Sequence, residues 1–167
     1  PISTQFYKID PGISISLRTP YANQYNAGGD HALIDGIPGA EDFHTGTWLG
    51  YFDEDLIAIL DLGRQRTLNE ISINFLQDHW NWIFLPVEVE CLVSADGKNY
   101  RPIGKKELDS ATEVEEAAIT KVSFTAAEQD IRYLRLIAKK PGKLPEWHIG
   151  FPDDGRTWIF ADEISIN

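Results

Sequence analysis

The feature that most constrains this chain is the recurrence of β-branched and aromatic residues at every second position, in short runs broken by turn residues. Such runs lie at Ile13 to Leu17, Leu56 to Leu62, Leu68 to Phe75, Val87 to Ser94, Tyr100 to Lys105, Ala118 to Phe124, Ile131 to Ala138 and Trp158 to Ile166. Alternation of this kind gives each strand one face for a core and one for solvent. Cys91 falls in phase with Val87, Val89 and Val93, as a buried strand residue does, and as the sole cysteine it forms no internal disulfide. The Asp96-Gly97 step within Ser94 to Asn99 favours a hairpin connection. Helical patterning is confined to single turns at His31 to Ile34 and Ala126 to Asp130. Eight short strands with almost no helix imply an all-β, antiparallel β-sandwich or jelly roll. At 167 residues the chain is long enough for one well-buried core, and no repeat or Pro/Gly linker divides it, so residues 1–167 read as a single domain.

Charge narrows the choice of partner. With 26 acidic against 15 basic residues the net charge is -11, which repels phosphate backbones and anionic lipid heads. Nucleic acid and membrane are therefore not expected partners. No apolar run approaches the roughly 20 residues of a membrane-spanning helix. The chain starts at Pro1 and contains no methionine, which suggests a processed chain or an excised domain. The lack of disulfides fits cytosol or bacterial export equally. No nucleophile elbow, phosphate loop, dinucleotide fingerprint or paired metal-His motif occurs, and catalysis is not expected of the chain.

Three segments fit no strand: Tyr21 to Asp55, Gln77 to Pro86 and Lys139 to Thr157. Long ordered loops on a compact scaffold commonly carry function. With the boundary residue Trp158 they hold all five tryptophans.

The segments His31-Ala32-Leu33-Ile34-Asp35-Gly36, Thr47-Trp48, Ile59-Leu60-Asp61-Leu62-Gly63 and Asp162-Glu163-Ile164-Ser165-Ile166 occur in that order across nearly the whole chain. In order and spacing they resemble the discoidin family, also called coagulation factor type C domains, whose bacterial members include carbohydrate-binding module family 32. A closer likeness is carried by His44-Thr45-Gly46, Trp48, Phe75-Leu76-Gln77-Asp78, Trp82-Ile83, Pro86, Trp147-His148 and Trp158 to Ile164. These look like the C-terminal domain appended to bacterial family 20 β-N-acetylhexosaminidases. The resemblance implies an eight-stranded, galactose-binding-domain-like jelly roll, excised from the C-terminal part of a larger glycoside hydrolase. It further implies a protein that is exported, periplasmic or at the cell surface of a bacterium. The chain departs from the resembled domains after the Trp-His pair, where Ile149, Gly150, Phe151 and Pro152 replace a Pro-Gly-rich turn.

Candidate sites follow from the loops. In Asp78-His79-Trp80-Asn81-Trp82, indole faces offer platforms for pyranose rings while Asp, Asn and His can bond hydroxyls. The alternative is that the tryptophans pack the loop onto the barrel mouth, and neighbours in sequence such as Trp80 and Trp82 can point opposite ways. In Pro145-Glu146-Trp147-His148, followed by Asp153, Asp154 and Arg156, a stacking face stands beside donors for a hydroxyl or carboxylate. Here the alternative is a loop-packing histidine and an Arg156 ion pair. Both loops are expected at one end of the sandwich; the resemblance implies that they bind a glycan of N-acetylhexosamine or galactose type, the alternative being that they dock on the parent catalytic domain. The resemblance also implies a structural Ca²⁺ joining the Asp-Gly segment to the last strand. Side chains of Asp35 and Glu163, with oxygens of Ala32, Thr45 or Thr47, and Asp162, are the hard donors it would take; a metal-free hydrogen-bonded junction is the alternative. Trp48 and Trp158 are expected in the core. The acidic runs Asp53-Glu54-Asp55 and Glu113-Val114-Glu115-Glu116 read as solvated turns.

Overall fold

The computed structural model describes residues 12–151 and 155–167, so the sequence candidates Asp153 and Asp154 lie outside the described residues. The strands are β1 (Ser14–Leu17), β2 (Leu49–Phe52), β3 (Leu56–Gln77), β4 (Glu88–Ser94), β5 (Arg101–Glu107), β6 (Ala118–Lys139) and β7 (Trp158–Ile166). All strand-to-strand pairings are antiparallel, in the order β2-β7-β3-β6-β4-β5, with β1 pairing the first half of β3 on the edge away from β6.

Two expected pairs of strands are fused. Leu56 to Leu62 and Leu68 to Phe75 are halves of the 22-residue β3, and Ala118 to Phe124 and Ile131 to Ala138 are halves of β6. The helical turn expected at Ala126 to Asp130 is instead the irregular middle of β6, with φ of 36° at Ala127 and 61° at Asp130. Opposite it, the β3–β6 register slips three times between Asp61 and Glu70. Bulges of this kind bend a ladder. The first half of β3 pairs with β1 and the second half of β6, and that half of β6 pairs with β4. The second half of β3 pairs with β7 and the first half of β6. Both halves feed one buried cluster, with Leu56, Ala58 and Leu60 from the first, Ile71, Ile73 and Phe75 from the second, and Val89, Cys91, Leu134, Leu136 and Ile159 between them. A single sheet has thus folded over along the β3–β6 ladder to give the expected sandwich. Each Val, Leu, Ile or Phe of this cluster contributes roughly 1.5–3 kcal/mol by burial. The Cys91 thiol is fully buried, and burial pushes its pKa up to about 12, in keeping with packing and not reactivity.

Because the ladder folds at its middle, both of its ends reach the same end of the sandwich. Gln77, the last residue of β3, faces Ala118, the first of β6, while Lys139, the last of β6, faces Glu88, the first of β4. Three connections, 78–87, 108–117 and 140–157, are gathered there.

Candidate functional site: an aromatic cleft at the loop end

The β3–β4 connection is closed at its base by a two-way bridge, Asp78 N–H to Ile83 C=O at 2.9 Å and Ile83 N–H to Asp78 C=O at 3.0 Å. Within it His79–Asn81 form a 3₁₀ turn that ends at Trp82 in the left-handed region, φ 60°. That reversal separates the two indoles. Trp80 projects outward and is 73% exposed, whereas Trp82 is 36% exposed and turns back to meet the His148 ring edge-on at 4.9 Å. A Cβ on Gly150 would stand 2.6 Å from the Trp82 Nε1, so only glycine lets the two loops approach this closely. Asp78 and Asn81 are bonded to each other, Asn81 Nδ2 donating to Asp78 Oδ2 at 2.8 Å.

Both histidines are buried beneath these indoles. His148 Nε2 donates to the His79 carbonyl at 2.7 Å, and its Nδ1 accepts from Gly150 N–H at 3.1 Å. His79 Nδ1 accepts from Val114 N–H at 3.2 Å, leaving Nε2 to pair with the Gln77 amide at 3.0 Å. Its ring stacks on Phe84 at 4.4 Å and lies 4.9 Å from Trp147. Burial, aided by the neighbouring His148, lowers the His79 pKa. The expectation that His79 and His148 bond a ligand directly is corrected here. With all four ring nitrogens engaged, they clasp the three loops together and support Trp147 from below.

Trp147 is 38% exposed and donates from Nε1 to the Ala111 carbonyl at 2.8 Å. Its remaining face, with Trp80, Val114 and Ile149, lines an open cleft of about 440 Å³ whose rim carries Glu113 and Glu115. Convergence of the 78–82 and 147–148 loops on one surface is thereby realised. Arg156 is not among the cleft's lining residues; its guanidinium lies 4.9 Å from the Phe52 ring. Glu113, Glu115 and Ile149 are additions that sequence reading did not place at the site. The acidic run reads as a solvated turn, and only the facing of Gln77 and Ala118 carries it to the cleft. Trp48 is fully buried, and Trp158 packs against Tyr25, Phe52 and Phe160, both as expected.

Of the residues expected at a cation site, Asp35, Asp162 and Glu163 approach one another elsewhere, where β7 meets the Asp35–Gly39 loop, while Thr45 and Thr47 bond to each other at 3.1 Å. Two β7 residues, Glu163 and Ile164, oppose the single Ile73 between the pairs Asn74–Asp162 and Ser72–Ser165, and Glu163 takes φ 38°. This bulge aims consecutive carboxylates at the same loop: Asp162 accepts from Gly39 N–H, and Glu163 Oε2 accepts from Gly36 N–H at 2.8 Å. Asp35 Oδ1 accepts from Ile37 N–H at 2.8 Å. The Asp162 Oδ1 is buried without a partner. Burial pushes both Asp162 and Glu163 up to about 7, with Asp35 adding like-charge repulsion to each. Between their unfolded values near 4 and about 7 the folded state holds the extra protons, so rising pH in this window favours unfolding. In chelator, the melting temperature is expected to fall from pH 5 to pH 8; a rise across that interval would show that these carboxyls are not strained.

No family model matches the chain, and no curated protein matches it. Solved structures do. CpGH89CBM32-5 from Clostridium perfringens, in complex with GalNAc-β-1,3-galactose, aligns over 93% of this chain and 94% of its own at 16% identity and TM-score 0.51. Chitosan-binding module 1 of a chitosanase/glucanase from Paenibacillus sp. IK-5 aligns over 97% and 99% at 12% identity and TM-score 0.56. The C-terminal domain of a chitobiase from Bacteroides fragilis aligns over 96% and 95% at 16% identity and TM-score 0.50. Coverage of 93% or more in both directions shows that the chain shares the β-sandwich fold of these structures.

Proposed function

We propose that the chain is a non-catalytic domain that holds carbohydrate in the aromatic cleft, as an accessory to a glycoside hydrolase of β-N-acetylhexosaminidase type working outside a bacterial cell. The observation that carries this reading is the pair of indoles, Trp80 and Trp147, lining one open cleft on a rigid support. Apolar indole faces match the C–H faces of pyranoses, and the exposed rim leaves room for a chain end. Modules of the same fold bind GalNAc-β-1,3-galactose and chitosan, as their descriptions state. Titration with N-acetylglucosamine, N-acetylgalactosamine and galactose, followed by tryptophan fluorescence, is expected to give dissociation constants on the order of millimolar to micromolar. Silence up to tens of millimolar for hexosamines and galactose alike would defeat the reading.

A second reading is docking on the parent catalytic domain. Exposed Trp80, Ile149 and Phe151 favour it, since aromatic and aliphatic anchors of this kind also serve protein interfaces. Deleting the domain from the parent enzyme separates the two: lower stability, or lower activity on small soluble substrates, supports docking.

The donor set along β7 fits a structural Ca²⁺. Asp35, Asp162 and Glu163 offer hard oxygens, and the buried Asp162 Oδ1 has no other partner. Among the described residues no three acidic, His or Cys side chains stand in a ligating group, so oxygens of Ala32 and of Thr45 or Thr47 would complete the shell. Bound there, the ion would neutralise the carboxylates and fasten the Asp35–Gly39 loop to β7. Added Ca²⁺ is expected to raise the melting temperature of the wild type and not of Asp162→Asn; equal response in both would remove Asp162 from the site.

A further inference from the structure

We infer that the cleft selects a sugar bearing a free, protonated amine over its N-acetylated or neutral counterparts; this deepens the carbohydrate-binding reading and rests on it. The argument is an inventory of what the cleft's walls can offer. Its lining side chains are His79, His148, Trp147, Trp80, Glu113 and Glu115, with Val114 and Ile149 apolar. Five of the polar groups are spent: the four ring nitrogens of the two histidines and the Trp147 indole N–H are bonded within the protein. Among the described residues, neither Glu113 nor Glu115 has an ion-pair or hydrogen-bond partner, and the Trp80 indole N–H is likewise unengaged. The free side-chain groups are thus two carboxylates, which only accept, against a single donor. Among the described residues no Lys or Arg lines the cleft.

A ligand matched to that surface brings donors and positive charge. The carbonyl of an N-acetyl group finds only the Trp80 indole N–H among the free side-chain donors, and a uronic or sialic acid would face two like charges. A hexosamine ammonium brings three donors and a charge to the carboxylates. It also sits well over an indole face, the geometry in which a cation gains from the ring quadrupole. Because Glu113 and Glu115 are exposed, the attraction is screened by salt.

The test compares glucosamine, N-acetylglucosamine and glucuronic acid, titrated into the wild type and into the double variant Glu113→Gln/Glu115→Gln at low and high ionic strength. The expected result is glucosamine bound about tenfold more tightly than N-acetylglucosamine at low salt. That advantage is expected to shrink in high salt and to vanish in the double variant, which binds the two sugars equally. If the wild type binds N-acetylglucosamine as well as glucosamine or better, or if the double variant keeps the preference, the selectivity is overturned while carbohydrate binding stands. Silence for all the sugars, galactose included, overturns both.

Discussion

Replacing Trp80 with alanine is expected to weaken sugar binding at least about tenfold, roughly 1.4 kcal/mol, with the fold intact. The side chain is 73% exposed, lines the cleft and makes no hydrogen bond among the described residues. Its removal opens no interior cavity. Surface substitutions without buried partners stay within about 0.5 kcal/mol, so the melting temperature should move by no more than about 2 °C. Calorimetric titration and a thermal melt on the same preparation read the two quantities separately. Unchanged affinity would relocate the binding site away from this cleft. A large fall in melting temperature would mean that Trp80 packs on something, which favours the interface reading.

The opposite pattern is expected for His148→Ala, which should cost roughly 2–4 kcal/mol and lower the melting temperature by about 5–15 °C. Two hydrogen bonds disappear, to the His79 carbonyl and from the Gly150 N–H, and each leaves a buried polar group unmatched. The ring's edge contacts with Trp82, Phe84 and Trp147 go with it. Since His148 reaches no free ligand group, any accompanying loss of sugar affinity arises through displacement of Trp147. Affinity should therefore return in part in His148→Gln, whose amide can both donate and accept. A melting temperature unchanged by the alanine variant would show that the clasp is dispensable.

Much of the scaffold was legible because burial on one face leaves a period-two mark, as in Val89, Cys91 and Val93. The exceptions have physical causes. Leu49–Phe52 reads as loop because Gly50 interrupts it, yet a Cβ there would come within 2.7 Å of the Phe160 ring and 2.8 Å of the Tyr25 Cβ. Glycine marks close approach in a strand, not its end. Gly63, at φ 73°, reads as a turn between two strands, whereas it begins the irregular stretch of one continuous strand. At the site, the tryptophans were recognisable by type, and their convergence by the fold. The roles of His79 and His148 were not. A histidine in a polar loop looks available until the neighbouring loop arrives to bury it, and that arrival is a tertiary event with no local trace. The same holds for Glu113 and Glu115, which become part of the cleft only through the pairing that starts β6.

The position of β7 also bears on when the molecule can come into being. Residues 158–166 lie between β2 and β3, pairing with both, and among the described residues no earlier segment fills that slot. As the chain emerges during synthesis, β2 can bond, among the described residues, only to the 22–26 segment, through the Asn26–Leu49 bridge and Ala22 N–H to Gly50 C=O, until β7 is out, and the edges of β2 and of the second half of β3 that β7 covers stay open in the interim. Such non-local assembly is intrinsically slow and depends on keeping the nascent chain from associating with itself. Folding is therefore a late, concerted event that waits for the synthesis of β7.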